Sequence, residues 1–284
     1  MAERLRWTTA LALLLGCVSA AAACSPAGHS AAGKGGDGHR TTAVFTPREP
    51  LGERRLGQTA DLMRRRAEGF GLRDVVVRTV DGKVTVTAPG ATPEQLASLG
   101  EPAVLVLRPV VAVAPSGDGA PAPSPGAGVA EFQALDCSSA AGRTDHQRGD
   151  GERAVACATE VVGGVRAKYL LDPVALNGTE ISEAEAVFDQ ENSTGWQIRL
   201  RLTSAGAKTF TEVTGRLAAQ VSPNNQFAMV LDGAVLSAPA VNSAIPGGIA
   251  VITGNFTRAS AGLLAAQISG GALPTPMDVS SMTR

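Results

Sequence analysis

The hydrophobic pattern between residues 195 and 257 changes its period from two to 3.6 and back to two. Residues 196–202 alternate between apolar and polar side chains, and the polar positions include Arg199 and Arg201. This alternation predicts a strand with one apolar and one basic face. The following residues repeat every 3.6 positions, which predicts a helix capped by Ser204. Its inward stripe comprises Ala207, Phe210, Val213, Thr214 and Leu217.

A nearly continuous apolar run from Phe227 to Leu231 follows this helix. Such a run is typical of a strand that is covered on both faces. Asp232-Gly233 then predicts a two-residue hairpin turn, because glycine tolerates the positive φ that the turn requires. The returning strand over residues 234–238 ends at Pro239. Together these elements predict a small α+β unit in which one helix lies on a sheet.

Residues 43–111 predict a second folded unit. Strands are expected at residues 43–45, 74–80, 83–88 and 103–107, with helices over 56–68 and from Thr92 onward. The order strand–helix–strand–strand–helix–strand predicts a ferredoxin-like fold, with 103–107 as its last strand. Residues 112–128 are rich in Pro, Gly, Ala and Ser, which predicts a linker.

The chain's net charge of −1 gives no indication of a nucleic-acid partner. The sequence contains no Gly-x-Ser-x-Gly, phosphate-loop, His-Glu-x-x-His or Cys-x-x-Cys motif, and its three histidines leave few general bases. Glu183 and Glu185 are two positions apart, so a helix would place them on different faces. We therefore expect a protein that is not an enzyme and that binds no cofactor or metal.

The N-terminus predicts export. Two arginines precede an apolar stretch at residues 10–23 that is too short to span a bilayer as a helix, which indicates a signal peptide over residues 1–23. Small residues before Cys24 predict a bacterial lipobox with Cys24 as the lipidated, palmitate-bearing residue; Cys17 is a rival position. Ordinary cleavage with release is the remaining alternative. The expected location is the extracytoplasmic face of the cell membrane, with residues 24–42 as a flexible tether.

Cys137 and Cys157 are the only cysteines after Cys24. In an exported chain a lone pair of cysteines predicts a disulfide. The residues between them are polar and glycine-rich, so a covalent closure would compensate for the missing apolar core. His146 lies in this segment, and the same lack of an apolar frame argues against a metal site there.

The run Arg64-Arg65-Arg66 has two interpretations. It is either a site for a phosphate or lipid headgroup, or a solvated helix face near a C-terminus, where cations suit the helix dipole. The second interpretation is the simpler one, and we take it as the expectation.

Several dispersed blocks resemble the first large periplasmic domain of SecD, the accessory subunit of the Sec preprotein translocase. In the predicted head they are Lys168 to Pro173, Thr203 to Phe210, Asn225 to Ala228, Val230 to Gly233 and Ser237 to Pro239. In the predicted base they are Arg66, Gly71-Leu72, Val84 to Val86, Pro89-Gly90 and Leu107 to Val110. The resemblance covers about residues 43 to 278.

The resemblance implies an α+β fold with a ferredoxin-like base and an inserted α+β head domain. The expected division is residues 43–111 for the base, 112–128 for the linker, 129–256 for the head and 257–284 for a C-terminal return to the base. It also implies a head that contacts an unfolded preprotein or components of the Sec translocon. The proton-coupled membrane helices of SecD are absent from this sequence, so we expect a stand-alone lipoprotein without that step.

Two surfaces of the head are candidates for binding a client strand by β-augmentation. One is a strand edge near residues 196–202 with Arg199 and Arg201 as its polar face. The other is the hairpin with Phe227 and Met229, although both side chains also fit a simple core role. An alternative function keeps the fold and makes the protein an envelope lipoprotein that binds a peptide or other ligand unrelated to translocation. A spacer without any ligand is a third possibility.

Overall fold

The computed structural model describes residues 40–116, 126–138, 149–161, 164–190 and 195–284. The strands are β1 (Arg40–Pro47), β2 (Val76–Val80), β3 (Lys83–Pro89), β4 (Leu105–Pro115), β5 (Ala154–Cys157), β6 (Ala167–Leu171), β7 (Leu176–Asn177), β8 (Ile181–Asp189), β9 (Gly195–Leu202), β10 (Phe227–Leu231), β11 (Ala234–Ser237), β12 (Ile249–Phe256) and β13 (Met277–Thr283). The α-helices are α1 (Glu53–Gly69), α2 (Pro93–Ser98), α3 (Val129–Ala134), α4 (Ser204–Leu217) and α5 (Arg258–Gly270).

The base is a four-stranded antiparallel sheet in the order β13-β1-β3-β2. Alternate residues of β1 and β3 are buried, and Phe45, Met63 and Leu96 are among the side chains at the centre of this core. The strand order and the helix after β1 give the predicted ferredoxin-like base. The head is inserted between α2 and β13, which confirms the expected α+β architecture.

The expected last strand of the base, residues 103–107, is wrong. These residues lead into β4, which pairs with β10 and β6 in the head, and β13 takes the fourth place in the base sheet. The predicted linker is also too long, because residues 112–115 belong to β4 and pair with β6. Both errors concern which strand pairs with which, and a local hydrophobic pattern does not contain that information.

The head contains two antiparallel sheets. The larger has the order β11-β10-β4-β6-β5, with β7 beside β4, and the smaller has the order β12-β9-β8. The outer strands of the larger sheet approach each other: Ala158 forms a bridge to Val235, and the Thr159 N–H donates to the Val235 carbonyl oxygen at 2.9 Å. The sheet is therefore partly closed, with an opening beyond this single bridge.

Helix α4 lies between the two sheets of the head. Its buried residues Phe210, Val213 and Leu217 pack in one cluster with the inner face of β9 and with β10. The helix begins after Thr203, whose hydroxyl accepts a hydrogen bond from the Gly206 N–H at 3.1 Å. The cap is thus Thr203 and not Ser204, one residue earlier than the sequence predicts.

Helix α5 is shared by the base and the head. One side packs against α1, where a Cβ on Gly69 would lie 2.7 Å from the Cβ of Ala266. The other side packs against β8, where the Ser269 hydroxyl donates to the carbonyl oxygen of Ala184 at 2.9 Å. The inserted domain is consequently fastened to the base by a helix as well as by its chain connections.

Candidate functional site

The structure places Arg199 and Arg201 on the outer face of β9. Arg201 pairs with Glu183 at 3.1 Å and Arg199 pairs with Glu185 at 3.8 Å, both across the β8–β9 ladder. β9 is the central strand of its sheet, so its backbone groups are already paired on both sides. The expectation of a free strand edge near residues 196–202 is therefore wrong. What remains there is a solvated face with two exposed ion pairs, which contribute little free energy.

Phe227 and Met229 are core residues. Their exposed fractions are 2% and 3%, and β10 lies between β11 and β4. The Phe227 ring stacks on the ring of Phe210 with a centroid separation of 6.0 Å. The stacked Phe227 and Phe210 rings hold α4 against the sheet. Neither Phe227 nor Met229 presents a surface to a partner.

The second strand of the same hairpin, β11, does border an open groove. The groove has a volume of about 750 Å³ and lies where the larger sheet of the head fails to close. Its walls are mainly apolar and come from β4, β6 with the loop before it, β11 with the two residues after it, and β12; they include Val113, Val165, Val235, Leu236 and Pro239. We call this feature the β11 groove.

Two polar atoms in the β11 groove have no hydrogen-bond partner among the described residues. They are Nε of Arg166 and the hydroxyl oxygen of Ser237, and both atoms are buried. Buried polar groups in native proteins are almost always hydrogen-bonded, so these two atoms are exceptions in the lining of the groove.

Two further polar groups line the β11 groove. Glu160 accepts a hydrogen bond from the Asn255 N–H at 2.9 Å and so links the groove to the end of β12. Burial, together with the charge of Glu160, raises the pKa of the Tyr169 hydroxyl. Tyr169 is therefore neutral at physiological pH and keeps its hydroxyl proton available as a donor.

A disulfide supports one wall of the β11 groove. Cys137 and Cys157 are bonded, with a Cα–Cα separation of 5.6 Å, and Cys157 directly precedes the groove residue Ala158. On β6 the buried Lys168 donates to the Gln133 carbonyl oxygen at 3.0 Å, and its ammonium group lies 5.3 Å from the centroid of the Phe132 ring. These contacts join α3 to β6 behind the groove.

Several residues singled out in the sequence lie outside the described residues. They are Cys17, Cys24 and His146. No group of residues suited to hold a metal ion occurs in the part of the chain that the structure describes. None of the described helices has the length and apolar character needed to span a bilayer.

Arg66 is the residue that sequence reasoning most clearly misjudged. It is completely buried, so the expected solvated helix face is wrong at this position. Its guanidinium donates to four backbone carbonyl oxygens, including those of Pro102 at 2.9 Å and Gly271 at 2.7 Å. A signal was present, because position 66 continues the inward stripe of α1 through Thr59 and Met63 at helical spacing.

The base-and-head architecture is similar to that of the P1 domain of SecDF proteins. Residues 158–275 match the family model described as SecDF, P1 head subdomain. The protein translocase subunit SecD of Streptomyces coelicolor is 41% identical over 157 residues, which is 54% of this chain and 27% of that protein. SecD of Acetobacter pasteurianus is 30% identical over 229 residues, which is 78% of this chain and 36% of that protein.

Solved structures extend the similarity to the base. A crystal structure of SecDF in a super-membrane-facing form matches 86% of this chain with 27% identity and a TM-score of 0.58, and this chain covers 30% of it. A structure of the membrane component SecDF, described as enhancing protein export, matches 86% of this chain with 26% identity and a TM-score of 0.57; 99% of that chain is covered. The expected relation to the SecD periplasmic domain is therefore confirmed. The matched regions span 27% and 36% of the two SecD relatives' lengths.

Proposed function

We propose that this protein is an accessory binding module in Sec-dependent protein export. It acts on the extracytoplasmic side of the membrane and contacts an unfolded preprotein or a component of the translocon through its head. The relation to SecD supports the export role, and the β11 groove supports binding. A head that holds an emerging chain would limit its return through the translocon by mass action.

The observation that carries this proposal is the open β11 groove beside an edge strand. A client whose sequence varies has to be bound through features common to all chains, namely apolar side chains and backbone carbonyl groups. The groove offers an apolar wall and the Tyr169 hydroxyl, whose raised pKa keeps its proton in place. Its contacts therefore suit a short extended segment of an unfolded chain.

We further propose that Cys24 is lipidated and holds the protein at the membrane. A single acyl chain gives only marginal anchoring, whereas more than one chain makes it durable. Mass spectrometry of the N-terminal peptide tests this: the Cys24→Ser variant is expected to lose the acyl chains, and Cys17→Ser is expected to retain them. Loss of the lipid in the second variant only would assign lipidation to Cys17.

In-cell photo-crosslinking tests the export role. A photoreactive side chain at the groove position Leu236 or Val165 is expected to give adducts with signal-bearing preproteins or translocon subunits, identified by mass spectrometry. The matched control is the exposed Ile249, which lies on the outer face of the smaller sheet. Equal adduct yields from groove and control positions, combined with unchanged export after depletion of the protein, would refute the proposal.

The second candidate function is an envelope lipoprotein that binds a ligand unrelated to translocation. The observation that favours it is the groove volume of about 750 Å³, which lies in the range of small-molecule sites. A thermal-shift screen distinguishes the two functions. One tight ligand that raises the melting temperature, with no preprotein adducts, would favour the second candidate.

A further inference from the structure

Glu160 brings a carboxylate to the mainly apolar lining of the β11 groove. The residue before it is fixed to β11, because the Thr159 N–H donates to the Val235 carbonyl oxygen at 2.9 Å. The Glu160 side chain is fixed to β12, because its Oε1 accepts the hydrogen bond from the Asn255 N–H at 2.9 Å. The position of the carboxylate is therefore set from two sides before a client binds, which reduces the ordering cost of binding.

The negative charge of Glu160 is not compensated within the described residues. No described lysine or arginine forms an ion pair with its carboxylate, and its Oε2 accepts no hydrogen bond from a described residue. Arg166 also borders the groove but is not paired with it. By contrast, Glu183 and Glu185 on the smaller sheet both have arginine partners. An unpaired carboxylate is thus a property of the groove.

Apolar and aromatic groups surround this carboxylate. A Cβ on Gly254 would lie 3.1 Å from Oε1 of Glu160 and 3.0 Å from Cε2 of Phe256, so the carboxylate and the Phe256 ring are neighbours. The Tyr169 hydroxyl has a pKa that is raised first by burial and then by the charge of Glu160, so this ring also lies within the field of the carboxylate. An apolar surrounding strengthens the attraction between opposite charges. The surroundings of Glu160 therefore favour a positively charged ligand.

We propose that Glu160 receives a lysine or arginine side chain of the client that is bound in the β11 groove. The stem of a basic side chain is apolar and suits walls such as Val113, Val235 and Pro239, while its charged end reaches the carboxylate. The groove then prefers extended segments in which one basic residue stands among apolar residues. This inference rests on the proposed binding of clients in the groove and adds a selectivity to it.

Three blocked heptapeptides test this selectivity. Each has an acetylated N-terminus, an amidated C-terminus, and valine and serine residues around a central lysine, norleucine or glutamate. Fluorescence anisotropy of the labelled peptides gives their dissociation constants for the full chain. We expect the lysine peptide to bind about tenfold more tightly than the norleucine peptide, the size of effect of one partly desolvated cationic contact. The glutamate peptide should bind most weakly.

The Glu160→Gln variant removes the charge and keeps an oxygen for the Asn255 N–H. It should weaken binding of the lysine peptide about tenfold and leave the norleucine peptide unchanged. Glu160→Lys should reverse the order, so that the glutamate peptide binds more tightly than the lysine peptide. Glu212→Gln, which changes an exposed carboxylate on α4, is the matched control and should retain the preference for lysine.

Salt provides a test on the wild-type protein that does not depend on the folding of any variant. Because ions screen the attraction between charges, a higher salt concentration should weaken binding of the lysine peptide and leave the norleucine peptide unchanged. Equal salt dependence of the two peptides would contradict a contact between the lysine and a carboxylate.

The outcomes separate this inference from the proposed function. Equal affinities of the wild-type protein for the three peptides would overturn the inference and leave the proposed function standing. A preference for lysine that persists in Glu160→Gln would also overturn it, because another group would then bind the cation. Absence of binding of all three peptides, together with absence of adducts at Leu236, would refute the proposed function and the inference with it.

Discussion

At the scale of single residues, the most consequential features are charged groups buried at the base–head joint. Arg66 and Asp232 come from an α-helix and a hairpin turn that are far apart in the chain. Each is held mainly by backbone or amide groups, so breaking one contact would leave a buried polar group unsatisfied. Substitutions here should therefore affect stability more than substitutions of the exposed ion pairs on β9.

The ionisation of Asp232 should give the stability of the protein a recognisable pH dependence. Burial raises the pKa of Asp232, and the hydrogen bonds from Val104 and Ala103 oppose this. A raised pKa in the folded state means that the folded protein binds the proton more tightly than the unfolded chain. The stability contributed by this group is therefore present below the unfolded pKa and is lost as the pH rises through the folded pKa.

We expect the wild-type protein to gain stability relative to Asp232→Asn as the pH falls from neutrality through the raised folded-state pKa of Asp232 toward its unfolded pKa. Denaturant unfolding of both proteins over a series of pH values measures the difference. Glu212→Gln, which changes an exposed carboxylate on α4, is the control. A free-energy difference between wild type and Asp232→Asn that stays constant with pH would contradict the expectation.

At the scale of elements, local chemistry determines where helices begin, and the structure selects between neighbouring candidates. Thr203 and Ser204 both carry hydroxyl groups that can cap a helix. Thr203 has extended backbone angles, and its hydroxyl accepts the Gly206 N–H. Ser204 is already the first residue of α4.

Thr203→Ala should destabilise the protein by about 1 kcal/mol, because it leaves the Gly206 N–H without its acceptor. Ser204→Ala should have little effect, since alanine is a good helix former and the cap remains. Chemical denaturation of the two variants measures both changes. A larger loss for Ser204→Ala than for Thr203→Ala would show that the cap is assigned to the wrong residue.

The disulfide holds the end of β5, which directly precedes a residue that lines the β11 groove. It closes a loop with a sequence separation of 20 residues, and this loop includes the polar segment before β5. In the loop-entropy model such a bond contributes about 3 kcal/mol. Replacing both cysteines by serine, or reducing the bond, should lower the melting temperature. Equal melting temperatures for the oxidised and reduced wild-type protein would contradict this contribution.

At the scale of the whole molecule, α5 joins the base to the head through a close approach to α1. A Cβ at Gly69 would lie 2.7 Å from the Cβ of Ala266, closer than two carbon atoms can pack. Gly57, on the same helix, has no atom within 4 Å of the corresponding position. The two glycines of α1 therefore allow a matched comparison.

Gly69→Ala should destabilise the protein by about 1 to 3 kcal/mol, because α1 and α5 have to move apart. Gly57→Ala should instead stabilise it by about 0.5 to 1 kcal/mol through helix propensity. Equilibrium unfolding gives both values. If the two substitutions have the same sign, the close approach of α1 and α5 does not limit the fold.

The relation to SecD also belongs to this scale, because it extends over both parts of the molecule. The family model covers residues 158–275, whereas the structural similarity covers 86% of the chain. The base therefore shares the architecture of its relatives as well as the head. The β11 groove is described from this chain's own residues.

The sequence by itself determined the type and the apolar face of the elements between residues 195 and 237. Alternation in β9, the continuous apolar run of β10, the Asp232-Gly233 turn and the stripe of α4 are local patterns, and each element formed as predicted. The resemblance to SecD also came from the sequence, because its motifs are short blocks of consecutive residues. These features depend on neighbouring side chains and on the geometry of a single segment.

Only the tertiary structure decided which strands pair and which charged groups are buried. Backbone hydrogen bonds are chemically the same in every strand, so nothing local distinguishes β4 from β13 as the partner of β1. The burial of Arg66 depends on carbonyl groups up to 205 residues away in the chain. The β11 groove likewise exists because two sheet edges meet at one bridge and then separate. Each of these properties arises from contacts between distant segments, which a local pattern does not specify.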